Sequence, residues 1–243
     1  MNNRKNAFFL LLLLVLLVVP AGCGDPNINY GIFEAHGDIG ACALEGDLSY
    51  DVAEDEYLIT GSGENIWFGK DQFHFAWSVE EGDIGMRAKI RLIGEGRNAH
   101  RKAGWMFRSS LDSSAAHVSA TIHGDGLTGI QYRPEQGADM QEVKSGAGGP
   151  LYFQFTKKGN VFELITGSAR GIIDTVLVEV PAIPEQYYAG IFICSHDNTV
   201  KERAIFSRVE VWSTGDPGIV PFENYIGFAE KVSKPFYNSL NFV

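Results

Sequence analysis

Residues 101–133 read RKAGWMFRSSLDSSAAHVSATIHGDGLTGIQYR and carry Lys102, Arg108, His117, His123, Gln131 and Arg133 among short apolar runs. An array of Arg, His and Gln with hardly an acid between them supplies convergent hydrogen-bond donors, suited to sugar hydroxyls or to a carboxylate. Sugar binding also asks for an aromatic platform on which the apolar face of a pyranose can stack. Trp67, in the glycine-rich GENIWFGKD, fits that role. Trp77 and Trp105 alternate with core residues and read as packing, and Trp212 ends the last strand. With His74 of DQFHFAW, the candidate ligand-binding set is Trp67, His74, Arg108, His117, His123, Gln131 and Arg133. The competing reading is that these residues are only the wet side of a sheet packed on one face.

Such a set needs strands to align it. Successive strand residues point to opposite faces, so period-2 alternation assigns each side chain to one side. Phe73, Phe75 and Trp77 lie opposite Gln72, His74 and Ala76; Ile84, Met86, Ala88, Ile90 and Leu92 lie opposite Arg87, Lys89 and Arg91. Ala103, Trp105 and Phe107 lie opposite Lys102, Gly104, Met106 and Arg108. Val118, Ala120 and Ile122 lie opposite His117, Ser119, Thr121 and His123, and Ile130 and Tyr132 opposite Gly129, Gln131 and Arg133. The turn His123-Gly124-Asp125-Gly126 predicts a hairpin that sets Arg108, His123, Gln131 and Arg133 side by side. LYFQF, VFELITG, IIDTVLVEV, YYAGIFIC and AIFSRVEVW supply further strands. Many short strands between Gly, Asp, Asn and Pro turns, with almost no helical periodicity, predict an all-β sandwich or jelly roll.

Other chemistry is thinner. Asp125 of the His-Gly-Asp-Gly turn could meet Ca²⁺, but one carboxylate falls short of a cage of about six to eight oxygens, so a tight turn is the expectation and no cofactor is required. Ser195-His196-Asp197 sits at a strand end, and neighbours in sequence do not converge as a triad must, which leaves a turn. No cysteine spacing resembles a zinc site. Cys42 and Cys194 read equally as one disulfide or as two buried thiols.

The N-terminus, MNNRKNAFFLLLLLVLLVVPAGCG, has a basic start, a 13-residue apolar run from Ala7 to Val19 and a small-residue cleavage site. The run is shorter than the roughly 20 residues of a membrane-spanning helix. Its AGC ending resembles the lipobox of bacterial lipoproteins, which makes Cys23 the expected lipidated first residue. The expected organisation is a signal peptide over 1–22, a tether over 23–37, a sandwich over 38–212 and an aromatic-rich extension over 213–243 that packs on the sandwich or a partner. The 243-residue chain has a formal charge of −10, and without residues 1–22 the balance of 18 basic to 30 acidic residues gives −12. An acidic chain excludes nucleic acid as an expected partner.

GSGENIWFGKDQFHFAW, KAGWMFR, IHGDGLTGIQYR and GIFICSHDNTVKERAIFSRVEVW resemble the concanavalin A-like β-sandwich domains related to the domain of unknown function 1349, also called the regulation of enolase type. Within that group the chain is similar to exported Bacteroidetes-type proteins often named Tol biopolymer transport components. The resemblance covers about residues 38–212 and implies a concanavalin A-like jelly roll of two antiparallel sheets. Its fold relatives include carbohydrate-binding modules, glucanases and 3-keto-glycoside hydrolases. The E-x-D-x-x-E strand motif of related β-glucanases is absent, and nothing pairs Glu64, Asp71 or Asp125 as a glycosidase with carboxyls about 5–9 Å apart would. The expected function is therefore carbohydrate binding on the polar face by a protein lipid-anchored in the cell envelope, periplasmic or surface-exposed, at the outer or inner membrane. Two alternatives stand beside it. One is an enzyme on glycosides, like the 3-keto-glycoside hydrolases, with His74 or His123 as base or metal ligand. The other is an envelope protein-interaction module using the aromatic tail.

Overall fold

The structure, a computed structural model, describes residues 29–233, with side chains to residue 227. Residues 1–28 and 234–243 lie outside it, so Cys23 and the expected signal peptide are not among the described residues. No helix of the described residues is long and apolar enough to cross a membrane.

Two seven-stranded antiparallel sheets face each other. The front sheet runs in the order β1 (Ala35–Ile39), β4 (Phe73–Glu81), β13 (Gln186–Cys194), β6 (Lys102–Arg108), β7 (His117–His123), β8 (Thr128–Arg133) and β9 (Gln141–Lys144). The back sheet runs β12 (Gly171–Glu179), β11 (Val161–Ser168), β10 (Tyr152–Lys158), β5 (Ile84–Leu92), β14 (Glu202–Ser213), β3 (Glu56–Gly61) and β2 (Asp47–Asp51). The expected strands and the β7–β8 hairpin are all present. Its turn closes through Gly126, whose φ of 90° few side chains tolerate, with the Gly126 N–H donating to the His123 carbonyl at 3.0 Å.

Between the sheets, Trp105, Phe107, Val118, Ile130 and Ile191 of the front pack against Met86, Ile90, Phe153, Phe155 and Phe206 of the back. Trp105 meets Phe206 edge-on at 6.1 Å and Phe107 lies 5.1 Å from Phe155, so the alternation assigned to β5, β6, β7 and β8 orients them correctly. In β4 the apolar face is not the core face. Register sets Ala76 opposite Ile191, which faces the core, and Phe75 opposite Phe192, which does not. Phe73 and Phe75, with half-buried Trp77, therefore lie on the outer face of the front sheet, in a second apolar cluster with Met106, Phe192 and Cys194. Trp77 packs, as expected, but outside the main core, edge-on to Tyr188. The outer face of this strand is apolar because a loop covers it, while its inner face carries His74, Ala76 and Ser78.

The sandwich begins earlier than residue 38. Phe33 belongs to the core, and β1 already pairs with β4 from Ala35. At the other end, Pro221 is followed by a helix, α1 (Phe222–Ser233), with Glu223 in its first turn. Phe222, Tyr225 and Ile226, at i, i+3 and i+4, dock on Tyr152 and Ile165 of the back sheet. Arg87 clamps this arrangement. It donates to Glu210 at 2.9 and 2.5 Å and to the Val220 carbonyl at 2.8 Å, with the Tyr225 ring 4.3 Å from its guanidinium. Phe222 and Tyr225 of the extension thus cover part of the back sheet.

Candidate functional site

The outer face of the front sheet holds the polar residues of β6, β7 and β8, and it divides into a sealed half and an open half. Loop 62–72 crosses it, Ile66 being buried and bridged to Asp71. Asp71, fully buried, lies between two arginines. Arg108 Nη1 donates to its Oδ2 at 2.7 Å, while Arg133 donates from Nη1 to Oδ2 at 2.8 Å and from Nη2 to Oδ1 at 2.5 Å. Of the remaining donors, Arg108 Nη2 reaches the Asp112 carbonyl and Arg133 reaches those of Phe68, Ala115 and Ala138, while Arg108 Nε has no hydrogen-bond partner among the described residues. His117 Nε2 stands 3.7 Å from Asp71 Oδ2.

Arg108, His117 and Arg133 have no exposed surface. This corrects their expected placement on an open binding face: alternation states which side of a sheet a residue leaves by, not what covers that side. Burial pushes the Asp71 carboxyl up, but the Arg133 hydrogen bond and the guanidinium charges of Arg108 and Arg133 hold it below the usual carboxylate range. Burial, with the two guanidinium charges, lowers the His117 imidazole to about 3 despite Asp71, so it is neutral.

His74 departs from the expected set in another way, because it leaves β4 by the opposite side. There Asp38 Oδ1 meets His74 Nδ1 at 2.6 Å, and His74 Nε2 meets His36 Nδ1 at 3.0 Å. It therefore does not join the other residues.

Trp67, His123 and Gln131 do converge, around an open cavity of about 300 Å³ that the sealed half flanks. Lys102 joins them from β6, Asn65 from loop 62–72 and His100 from the turn before β6. Trp67 is half-buried, its ring 5.9 Å from Lys102 Nζ, and its carbonyl accepts from the Met140 N–H at 3.2 Å, which ties the loop to the chain preceding β9. Leu127, Glu142, Lys144 and His196 complete the walls; the His100 ring centroid lies 5.9 Å from that of His123 and 5.6 Å from that of His196.

The cavity floor has a defined hydrogen-bond order. Lys102 Nζ donates to Gln131 Oε1 and Asn65 Oδ1, each at 3.3 Å, and to the Ile66 carbonyl at 3.4 Å. With its oxygen turned to Lys102, the Gln131 amide donates to Glu142 Oε1 at 2.7 Å and to His123 Nε2 at 3.2 Å. A neutral His123 that accepts at Nε2 carries its proton on Nδ1, and that buried nitrogen has no hydrogen-bond partner among the described residues. Burial, then the charge of Lys102, lowers His123 to about 3. Burial also lowers the Lys102 ammonium from its ordinary value.

Lys102 stood in the polar pattern but outside the candidate set, since a lysine on a sheet usually signals solvent. His196 was visible only as part of a strand-end turn. That turn is present: Ser195 Oγ donates to the carbonyls of Gly63 and Asp197, and His196 adopts φ 56°. His100, Glu142 and Lys144 carried no signal. Asp125 Oδ1 accepts from the Leu127 N–H at 3.0 Å, stabilising its own turn. Among the described residues no group of three or more His, Cys, Asp or Glu side chains is placed to hold a metal ion. Cys42 and Cys194 are free, their thiols pushed up by burial to about 12 and about 11.

A second cavity, of about 340 Å³, is lined by Ile32, Phe33, Ile84, Met86 and Trp212 with Glu80 and Ser78. It lacks the convergent donors of the first.

No family model and no curated protein matches the chain. Solved structures do. A functionally unknown protein from Saccharomyces cerevisiae matches at 12% identity over 69% of this chain and 91% of that one, with a TM-score of 0.53. The carbohydrate binding module CBM66 from Bacillus subtilis matches at 12% identity over 75% and 98%, with a TM-score of 0.48. A Lotus tetragonolobus seed lectin matches at 10% identity over 70% and 91%, with a TM-score of 0.47. The chain is an all-β jelly-roll sandwich of two seven-stranded antiparallel sheets. At these identities the likeness defines the fold alone.

Proposed function

We propose that this protein binds a carbohydrate in the cavity formed by Trp67, Lys102, His123 and Gln131. One observation carries the reading: a half-buried indole stands beside convergent hydrogen-bond donors, on a concavity of about 300 Å³. An aromatic face with hydroxyl-directed donors at its edge is the arrangement a pyranose requires, since one side of the sugar ring is apolar and its rim is polar. Loop 62–72 brings the indole, and three adjacent strands bring the donors.

The sequence motifs support placing the chain with the domains related to the domain of unknown function 1349, in the group named Tol biopolymer transport components. The N-terminal pattern through Cys23 supports export and lipid anchoring in the cell envelope, which would hold the sandwich near extracellular or periplasmic glycans.

The test is binding of the purified protein to a glycan array, repeated with Trp67→Ala. Loss of one stacked ring is expected to weaken binding at least tenfold, the equivalent of about 1.4 kcal/mol. The melting temperature should change little, because Trp67 contributes to neither apolar cluster of the front sheet. A Trp67→Ala variant that binds as tightly as the parent, or a parent that binds no glycan, contradicts the reading.

A further inference from the structure

The cavity floor has more hydrogen-bond donors, and more positive charge, than the protein itself satisfies. Lys102 is 2% exposed, yet among the described residues no salt bridge reaches it: its three hydrogen bonds, at 3.3–3.4 Å, all end on neutral oxygens. The nearby Glu142 carboxylate accepts instead from Gln131, and it stands 3.7 Å from Lys144 Nζ. Among the described residues, His123 Nδ1 has no acceptor. Behind them, Arg108 and Arg133 share the single carboxylate of Asp71. Among the described residues, three buried cations therefore face one buried carboxylate on this side of the sheet, in a chain whose formal charge is −10. A buried ammonium with only neutral partners costs stability. An incoming anion would recover that cost, and the low-dielectric surroundings would strengthen the attraction.

We infer that the ligand of this cavity is an acidic saccharide, whose anionic group, the carboxylate of a uronic acid or a sulfate ester, is received by Lys102 beside His123 while a sugar ring lies against Trp67. This rests on the reading of the cavity as a saccharide site and adds the charge of its ligand. A neutral sugar would leave the ammonium as poorly satisfied as it is in the free protein; an acidic one would not.

The experiment is calorimetric titration of the purified protein with four kinds of oligosaccharide: tetramers of galacturonic acid, tetramers of mannuronic acid, the same tetramers after carboxyl reduction, and a sulfated neutral tetramer. At least one acidic tetramer is expected to bind tenfold or more tightly than the neutral forms. A preference for the uronates identifies the carboxylate, and a preference for the sulfated sugar identifies the sulfate. Lys102→Met should bring the ratio of acidic to neutral affinity close to one and should raise the melting temperature, because it removes a buried cation while filling its space. Lys102→Gln should lose the preference without that gain. Equal affinity of the parent for acidic and neutral tetramers overturns the inference and leaves the saccharide site standing. An unchanged preference in both Lys102 variants overturns the assignment to Lys102. Failure of every tetramer to bind overturns the inference and the saccharide reading together.

Discussion

Asp71→Ala is expected to cost about 3–5 kcal/mol of folding stability, the usual penalty for removing one partner of a buried ion pair. The upper end is the expectation here, because Asp71 holds two guanidinium groups, and its loss leaves both buried without a counter-charge. A domain whose total stability is about 5–15 kcal/mol would be left near the margin of folding. Arg108→Ala should cost less, since Arg133 keeps its own two hydrogen bonds to Asp71. Chemical unfolding of both variants measures the difference. A loss below about 1 kcal/mol in Asp71→Ala would mean that the arginines are solvated, and that loop 62–72 does not seal this half of the sheet.

The second large effect is acid lability. His117 and His123 are lowered to about 3 by burial, whereas in the unfolded chain each titrates near 6.5. Between those values the unfolded chain holds protons that the folded chain refuses. Both groups therefore contribute stability that is present above about pH 6.5 and is lost progressively as pH falls toward 3. With both histidines contributing, the loss amounts to about 2–3 kcal/mol per pH unit within the window, at 1.36 kcal/mol per unit for each proton. Asp71, lowered by Arg133 and its charged neighbours, adds a loss below the usual carboxylate range. Unfolding free energies measured from pH 7 to 4 should fall steeply, and His117→Asn should flatten the slope. A free energy constant from pH 7 to 5 contradicts the buried, neutral state of both rings.

Much of this architecture was legible because alternation survives wherever one face of a strand meets the core. In β5, β6, β7 and β8 the inward and outward residues follow directly from spacing, and the Gly-Asp turn sets the hairpin. Alternation failed where a second apolar layer lies outside the sheet: Phe73 and Phe75 look like core residues and pack under a loop, which turns His74 to the opposite side. Edge strands β1, β2 and β9 were not distinguished from loops, because short polar segments such as DLSYD carry too few apolar residues to show a period. The helix of the extension was hidden among its prolines and glycines.

The candidate site was half legible. Strand spacing indicated that Arg108, His117, His123, Gln131 and Arg133 share a face, but burial depends on Asp71 and loop 62–72, which approach from elsewhere in the chain. A carboxylate that neutralises arginines from a loop leaves no periodic signal. The same holds for His100 and His196, which reach the cavity from turns far apart in sequence.

Ligand is expected in the half beneath Trp67 and not in the half around Asp71, and the positions of the six histidines distinguish the two. His100, His123 and His196 line the cavity, whereas His117 is sealed beside Asp71 and His36 and His74 lie beyond the opposite face. The decisive measurement is NMR of the assigned histidine ring nitrogens during titration with the acidic and neutral tetramers. Shifts at His123, His100 and His196 that saturate together, with His36, His74 and His117 unmoved, are the predicted result. Shifts confined to His117 or to the His36–His74 pair, or no shift with any tetramer, would contradict it.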